Sequence, residues 1–581
     1  MQKSFAFTGI PGTSIQRVVD HLSASMRANT IAICIDEYLW KAFAADARQN
    51  VELLRQTELD EVDVQEGCRP NWWRLLTMPI GAIRHYWQVG AKRALDEMKS
   101  NTEADIVFVI FHACYQSDHY RWRLSAVDPS ILSEFGFHAF ITLIDDVYDV
   151  HRRRADDLAA ERMAVGYNEG DNIERAQKLI ELSVSYLDHF LFWRQEEIVL
   201  TDLFAAACGV PSHVFAIKHP TRTLAKLIED PGVSTYFSHP ITAIRTQSDF
   251  DRTDDFSEIN QISSVLREKT TLIEPTTIDE YRIVTDRTGG INRYVPKLSP
   301  RWPLLQKPSD LAFAPLNVYS DPLEEYVFSK TNAAALGLER ECESICNGEG
   351  PKSVLDLISL TMQRLSERIA EDITWRDHYL VDQTKSLVVY RPLQKGRLSL
   401  GVKRELEYYA RLCLTGAAPR GCIIYHPDED RRLRSMEVAK ELVTTWREHS
   451  DIGPHLQPSL AHINATELLS MLENAIFDTT DSISGGVQCV NVLERFVKVE
   501  PQIASSTPMS SGTTYAAIQR ADRVRQLASD AAASVIQREY YVDMLKNAPG
   551  LNFIFVQEQD RMLDSLDDLK PKQEEKSNVT V

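Results

Sequence analysis

The chain has 581 residues, 44% of them hydrophobic and 25% charged, a composition that excludes wholesale disorder and the fibrous classes. Single cores stop growing at roughly 250 to 300 residues, so two main domains with appendages are expected. A formal charge of −19 repels phosphate backbones and argues against broad nucleic-acid binding.

No run approaches the roughly 18 apolar residues of a spanning helix, and the N-terminus lacks the basic-then-apolar layout of a signal peptide. The expectation is a cytoplasmic protein with no membrane partner. Nine cysteines without CxxC pairs or histidines at zinc spacing suit reduced thiols and predict neither a metal nor another cofactor. Cys342 and Cys346, one helical turn apart, read as structural.

In chain order, residues 4–8 form a short apolar strand, and Gly9-Ile10-Pro11-Gly12-Thr13 turns into an amphipathic helix carrying Val18, Val19 and Leu22. Further strands are expected at 30–35, 106–111, 140–144 and 213–217, separated by helical stretches, which implies a parallel sheet covered on both faces. Asp36, Glu37 and His112 fall at strand C-terminal ends, where open α/β sheets place ligands. The run Arg152, Arg153, Arg154 reads as a solvated helix face.

Asp230-Pro231-Gly232 breaks this series, giving a first domain over 1–228. A second α/β domain is expected over 229–440. It has a strand at 233–238, a helix at 255–269 and a strand at 271–273 ending at Glu274-Pro275. Asp279-Glu280 then reads as a helix start or a ligand contact. Residues 285–350, rich in proline and glycine, read as an insertion or lid. Regular structure resumes with a helix at 354–369, a strand at 387–390, a helix at 402–412 and a strand at 421–425. Residues 441–569 read as a mainly helical extension, with apolar spacing in 435–446 and 515–545, and 570–581 as a disordered tail. The apolar stripe of 515–545 must be covered somewhere, which predicts a homo-oligomer.

A phosphate loop of pattern GxxxxGK[ST] works through backbone amides, a lysine and a magnesium-binding hydroxyl. Aligned from Gly9, this chain has Ser14, Ile15 and Gln16 at the last three positions, so the charge-bearing half is missing. The segment Phe5-Ala6-Phe7-Thr8-Gly9-Ile10-Pro11-Gly12, with the strand 141–144 leading to Asp145, Asp146 and Arg152 to Arg154, resembles P-loop nucleotide kinases over roughly the first 225 residues. The resemblance implies a kinase-like fold in which phosphoryl transfer lacks its main electrostatic stabilisation. Gly9, Gly12 and Thr13 remain as a degenerate nucleotide-binding loop, to be weighed equally against a structural scaffold.

Two stretches of the second domain carry chemistry: Trp375 to Pro392, which includes Asp377, and Gly401-Val402-Lys403-Arg404-Glu405-Leu406, with Ala410 following. A carboxylate at the start of a helix, beside strand C-termini, can serve as nucleophile or charge stabiliser. Here the sequence resembles the nucleoside 2-deoxyribosyltransferases, over about 233–440. The strand and acidic turn Cys422 to Asp430 and the segment Tyr236-Phe237-Ser238-His239-Pro240 also fit. The resemblance implies Glu405 as nucleophile, Asp377 as the acid assisting the departing base, and Tyr236 as the residue orienting the glutamate. His239, Glu274, Ser399 and Gly401 are candidates for lining the substrate site. Ser238-His239-Pro240 stands where the family has a glycine-rich loop and Ser399 where it has an acid, so a deoxyribose preference does not carry over. The bland alternatives are that Glu405 caps a helix dipole and Asp377 is an N-cap or surface acid.

The preferred function is therefore an N-glycosidase or N-glycosyltransferase acting on a nucleoside, nucleotide or NAD-like molecule, on an analogy with bacterial defence effectors. The alternatives are a catalytically inactive nucleotide-sensing or interaction protein, and an unusual nucleotide kinase.

Overall fold

The computed structural model describes residues 2–53, 78–117, 122–154, 171–229, 234–241, 250–298, 336–346, 352–414, 420–425 and 551–556, apart from short breaks within these spans, and a few isolated positions outside them. The protein is α/β, with two parallel sheets. It divides into two compact units, residues 1–232 with 271–383 and residues 233–270 with 384–581. Residues 271–383, read in the sequence with the second domain, thus pack with the first.

The first unit opens with β1 (Lys3–Thr8), α1 (Ile15–Ser25), β2 (Thr30–Cys34), α2 (Ile35–Ala47), α3 (Ile80–Ser100) and β3 (Ile106–Ile110). A small antiparallel hairpin, β4 (Tyr115–Ser117) and β5 (Trp122–Leu124), and the short helix α4 (Pro129–Ser133) precede β6 (Ala139–Ile144). Then come α5 (Val147–Arg153), α6 (Asn172–Cys208), β7 (Ser212–Ala216) and α7 (Thr221–Glu229). The chain enters the second unit with β8 (Ser234–Ser238) and α8 (Asp254–Lys269). It returns to the first with β9 (Thr271–Ile273), the hairpin β10 (Ile283–Thr288) and β11 (Arg293–Leu298), α9 (Glu339–Cys346) and α10 (Lys352–Asp382). The second unit is completed by β12 (Ser386–Tyr390), the two-residue strands β13 (Leu393–Gln394) and β14 (Arg397–Leu398), α11 (Leu400–Leu414), β15 (Arg420–Tyr425) and β16 (Leu551–Val556).

The first sheet runs in the order β2-β3-β1-β6-β7, all parallel. Its central strands read Ile-Val-Phe-Val-Ile and Ala-Phe-Ile-Thr-Leu-Ile and are buried at each position, as strands covered on both faces must be. Helix α1 buries Ile15, Val18, Val19 and Leu22, one stripe at helical spacing. Asp128 caps α4, with Pro129 in its first turn. The core is aromatic: Phe7 meets Phe108 edge-on at 5.4 Å, and Trp87 meets Phe111 at 6.3 Å. Each such side chain, fully buried, contributes about 1.5–3 kcal/mol. The chain moves from β1 to one side of the sheet for β2 and β3, then crosses to the other side for β6, so the order reverses at β1. Open α/β sheets bind ligands at the strand C-termini of such a reversal.

In the second unit β16, β15, β12 and β8 lie side by side in that order, parallel throughout. The Tyr409 hydroxyl, from α11, donates to the carbonyls of Lys385 (3.1 Å) and Gly421 (3.0 Å) and so anchors the helix at the N-terminal ends of β12 and β15.

Several expectations need correction. The helix expected at 354–369 continues to Asp382, because no proline or glycine interrupts it and Leu365, Ile369, Asp372, Arg376 and Leu380 keep a buried helical stripe. Asp377 is therefore a helical residue. Part of the expected insertion is the hairpin β10–β11. The extension after 440 supplies a strand, β16, whose run Leu-Asn-Phe-Ile-Phe-Val has strand composition. The helices expected at 435–446 and 515–545 and the tail at 570–581 lie outside the described residues. Arg153 and Arg154 do not form a solvated face. Arg153 donates to the Gly12 carbonyl at 2.7 Å, and Arg154 lies over the rings of Phe190 and Trp193. Cys342 is buried in an apolar cluster with Leu338 and Ile369, and burial pushes its thiol up to about 12. No helix among the described residues is long and apolar enough to cross a membrane.

Candidate functional site

Helix α11 sets Val402, Leu406, Tyr409 and Ala410 against the sheet, and Glu405 falls within that same buried stripe at 7% exposure. A carboxylate there must be compensated, because burying an unpaired charge costs several kcal/mol. The compensation comes from β8. Tyr236 and Ser238 are two residues apart and so share one face of the strand. The Tyr236 hydroxyl donates to Glu405 Oε1 at 2.8 Å, and the Ser238 hydroxyl donates to Oε2. Each oxygen thus accepts one of the two hydroxyls. Hydrogen bonds of this kind favour the ionised form of a carboxylate.

Glu405, which the sequence places in the first turn of its helix, lies beyond that turn. The helix starts at Leu400 and has no acid in its first turn. Since the macrodipole acts chiefly within that turn, the two hydroxyls of β8, rather than the helix end, hold the carboxylate. Ser238, which the sequence marks only as a departure from a glycine-rich loop, is one of them. Its signal was its spacing of two from Tyr236.

The structure brings Tyr236 and Glu405 together but gives the other candidates different settings. His239 is buried with its ring 5.0 Å from that of Phe237, and Phe237 alternates with Tyr236 and Ser238 along the strand. Ser399 precedes α11, and its carbonyl accepts the Lys403 amide at 2.9 Å, the first bond of the helix. Gly401 is exposed, and a methyl group there would meet nothing within 4 Å.

Glu274 and Asp377 belong to the first unit. Glu274 is buried, and its amide donates to His219 Nε2 at 3.1 Å. Asp377 accepts from its neighbour Arg376 at 2.9 Å. Burial pushes the Asp377 carboxyl up against the pull of Arg376, a direction that suits a proton donor and that burial beside Asp372 and Glu280 produces in any case. Arg376 in turn reaches Glu280 at 3.4 Å, and Glu280 is gripped by Arg194 at 2.7 and 3.0 Å and by the Val147 amide at 3.0 Å. Arg194 also pairs with Asp372. Despite its burial, Glu280 is held below the ordinary carboxylate range by the Arg194 and Arg376 guanidinium groups and the Val147 amide. Asp279-Glu280 therefore contributes an ion-pair hub, Glu280, that joins α6 and α10.

The degenerate phosphate loop is engaged by its own chain. A methyl group at Gly9 would lie 2.7 Å from the Leu143 carbonyl oxygen, and Gly12, at φ 95°, would place one 3.0 Å from Val150 and Arg154. The Thr13 hydroxyl donates to the Ile10 carbonyl. Ser14 has φ 56° and ψ 50°, a left-handed conformation costing a non-glycine residue about 1–2 kcal/mol. At the end of β6, Asp145 is paired with Lys218 at 3.1 Å and with Arg153, and Asp149 with the same Lys218. At the ends of β2 and β3, Tyr115 donates to Asp36, and His112 lies 3.8 Å from it. Among the described residues no group of three or more His, Cys, Asp or Glu side chains is placed to hold a metal ion.

Comparison with protein-family models gives no match. No curated protein matches the chain either.

Proposed function

We propose that the second unit cleaves an N-glycosidic bond of a nucleoside, nucleotide or NAD-like molecule, with Glu405 acting on C1′ of the sugar. The observation that carries this reading is the pair of hydroxyls, Tyr236 and Ser238, that hold a buried carboxylate toward the C-terminal end of β8. They fix the glutamate's orientation, and a carboxylate held by hydroxyl donors can serve as a nucleophile. The C1′–N bond breaks with its electron pair leaving on the base, which takes up a proton. A Glu405 oxygen bonds C1′ or stands against its positive charge, and water or a second acceptor then takes the sugar. Hydrolysis and transfer share these steps up to the last. In this reading the first unit is a degenerate kinase-like partner, as in effectors of bacterial defence, and the chain assembles as a homo-oligomer.

The test is to incubate the full chain with a panel of nucleosides, nucleotides and NAD and to separate free base by chromatography. Release that Glu405→Gln removes while the fold persists supports the proposal. A substrate cleaved by Glu405→Gln at the native rate assigns the chemistry elsewhere.

A further inference from the structure

The reversal point of the first sheet should be open for a ligand, yet helix α6 lies across it. Trp193, Arg194, Glu197 and Thr201 fall within an arc of about 100° on that helix, by the 3.6-residue repeat. Between them they meet the chain at the ends of β1, β3 and β6. The Trp193 indole donates to the Cys114 carbonyl at 3.1 Å and Arg194 to the Asp145 carbonyl at 2.8 Å. The Thr201 and Thr8 hydroxyls are 2.7 Å apart. At the centre, the fully buried Glu197 carboxyl accepts three backbone amides: Gly9 (3.1 Å) and Ala113 (2.8 Å) on Oε1, and Cys114 (2.9 Å) on Oε2.

Three amides converging on one carboxyl from the ends of β1 and β3 form a concave nest of the kind that binds anions. We propose that this nest is an anion site whose resident ligand is the chain's own Glu197, delivered by α6, so that the crevice is closed to phosphate groups while α6 stays in place. The charges beside it are satisfied in the same way, since Lys218 supplies Asp145 and Asp149 with the cation that two carboxylates would otherwise seek. Burial pushes the Glu197 carboxyl up well above its ordinary value, and the three amides oppose the shift. All three contacts are donated to the carboxyl, two on Oε1 and one on Oε2, the pattern in which an ionised carboxylate is held. The inference is independent of the chemistry proposed for Glu405.

The experiment uses the full chain, Glu197→Ala, Glu197→Gln and, as an exposed control on the same helix, Asp202→Asn. Thermal unfolding is followed in sodium formate, sodium phosphate and sodium chloride at matched ionic strength, with hydrogen exchange measured on peptides covering Gly9 and Ala113–Cys114. The wild type should show no anion preference and slow exchange at these amides. Glu197→Ala should unfold lower by about 5 °C or more, from the loss of three charge-assisted hydrogen bonds, and formate should restore part of the loss saturably. Glu197→Gln keeps the shape but turns a donor toward an amide, so exchange at Ala113–Cys114 should quicken there, while Asp202→Asn should leave it unchanged. Formate acting alike on wild type and Glu197→Ala overturns the proposal. If Glu197→Ala does not fold, the glutamine variant decides. Wild-type stability and wild-type exchange in it show that no carboxylate is bound.

Discussion

Each unit buries a glutamate from a helix against a parallel sheet, and the two are held in different ways. Glu405 accepts two side-chain hydroxyls, Tyr236 and Ser238, and keeps 7% of its surface. Glu197 accepts three backbone amides and is fully buried. Hydroxyls can rotate about their C–O bonds, so their grip on a carboxylate can readjust. Backbone amides are fixed by the strands that carry them, so the carboxyl they bind is locked in place. The first arrangement suits chemistry and the second closes a site. Burial alone therefore says little about a carboxylate; the identity of its donors says more.

The largest expected effect breaks the comparison at Glu405. Glu405→Gln should lower base release by about a thousand-fold or more, with little change in unfolding temperature, because the amide keeps the shape and one acceptor for Tyr236. Parallel assays of turnover and thermal unfolding check this, and a loss of stability matching the loss of activity would make Glu405 a structural residue.

Next comes the other side of the comparison, where the helix face that carries Glu197 also carries Arg194. Arg194→Met removes the partner of Asp372 and one of the two cations on Glu280, both buried, and should destabilise the protein by about 3–5 kcal/mol. Denaturant unfolding of the full chain measures it. A cost under about 1 kcal/mol would mean that α6 is not held by this network.

Tyr236→Phe sharpens the comparison further. A hydrogen bond to a charged group is worth about 1.5–3 kcal/mol, so turnover should fall by roughly 10- to 100-fold while the fold stays intact. Ser238→Ala should lose a similar factor, and the double variant should lose less than the product, since both act through one carboxylate. Equal activity in Tyr236→Phe and wild type would remove the orienting role.

The smallest effect concerns pH and the same helix. Burial, with the charges of Arg123 and Arg154, pushes His189 down to about 4. Its geometry agrees, since Nδ1 faces the Arg123 guanidinium, which can only donate, and Nε2 meets the Gln116 carbonyl oxygen. A histidine depressed in the folded state contributes stability that is present above the unfolded value, about 6.5, and is lost as pH falls toward 4. His189→Gln should therefore flatten the decline of unfolding temperature between pH 6.5 and 4. An unchanged slope would show that His189 is protonated in the folded protein.

The expected strands at 4–8, 106–111, 140–144 and 387–390 lie within a residue or two of β1, β3, β6 and β12, because fully buried parallel strands announce themselves as continuous apolar runs. The same holds for the stripe of α1. Glu405 is singled out as an acid read at a helix start and by the resemblance to the nucleoside 2-deoxyribosyltransferases, and Tyr236 by that resemblance. Ser238 shares a strand face with Tyr236 by its spacing of two, but that this face meets α11 was decided only by the packing. Glu197 was invisible for a related reason: it is one of two adjacent glutamates in a 37-residue helix, and only the packing of α6 across the strand ends separates it from the half-exposed Glu196, which pairs with Arg123. The membership of residues 271–383 in the first unit was also settled by contacts far apart in sequence, such as Arg194 with Glu280 and Asp372. Periodicity and composition are local properties and specify elements. Which carboxylate meets a hydroxyl and which meets an amide is decided by surfaces brought together from distant parts of the chain.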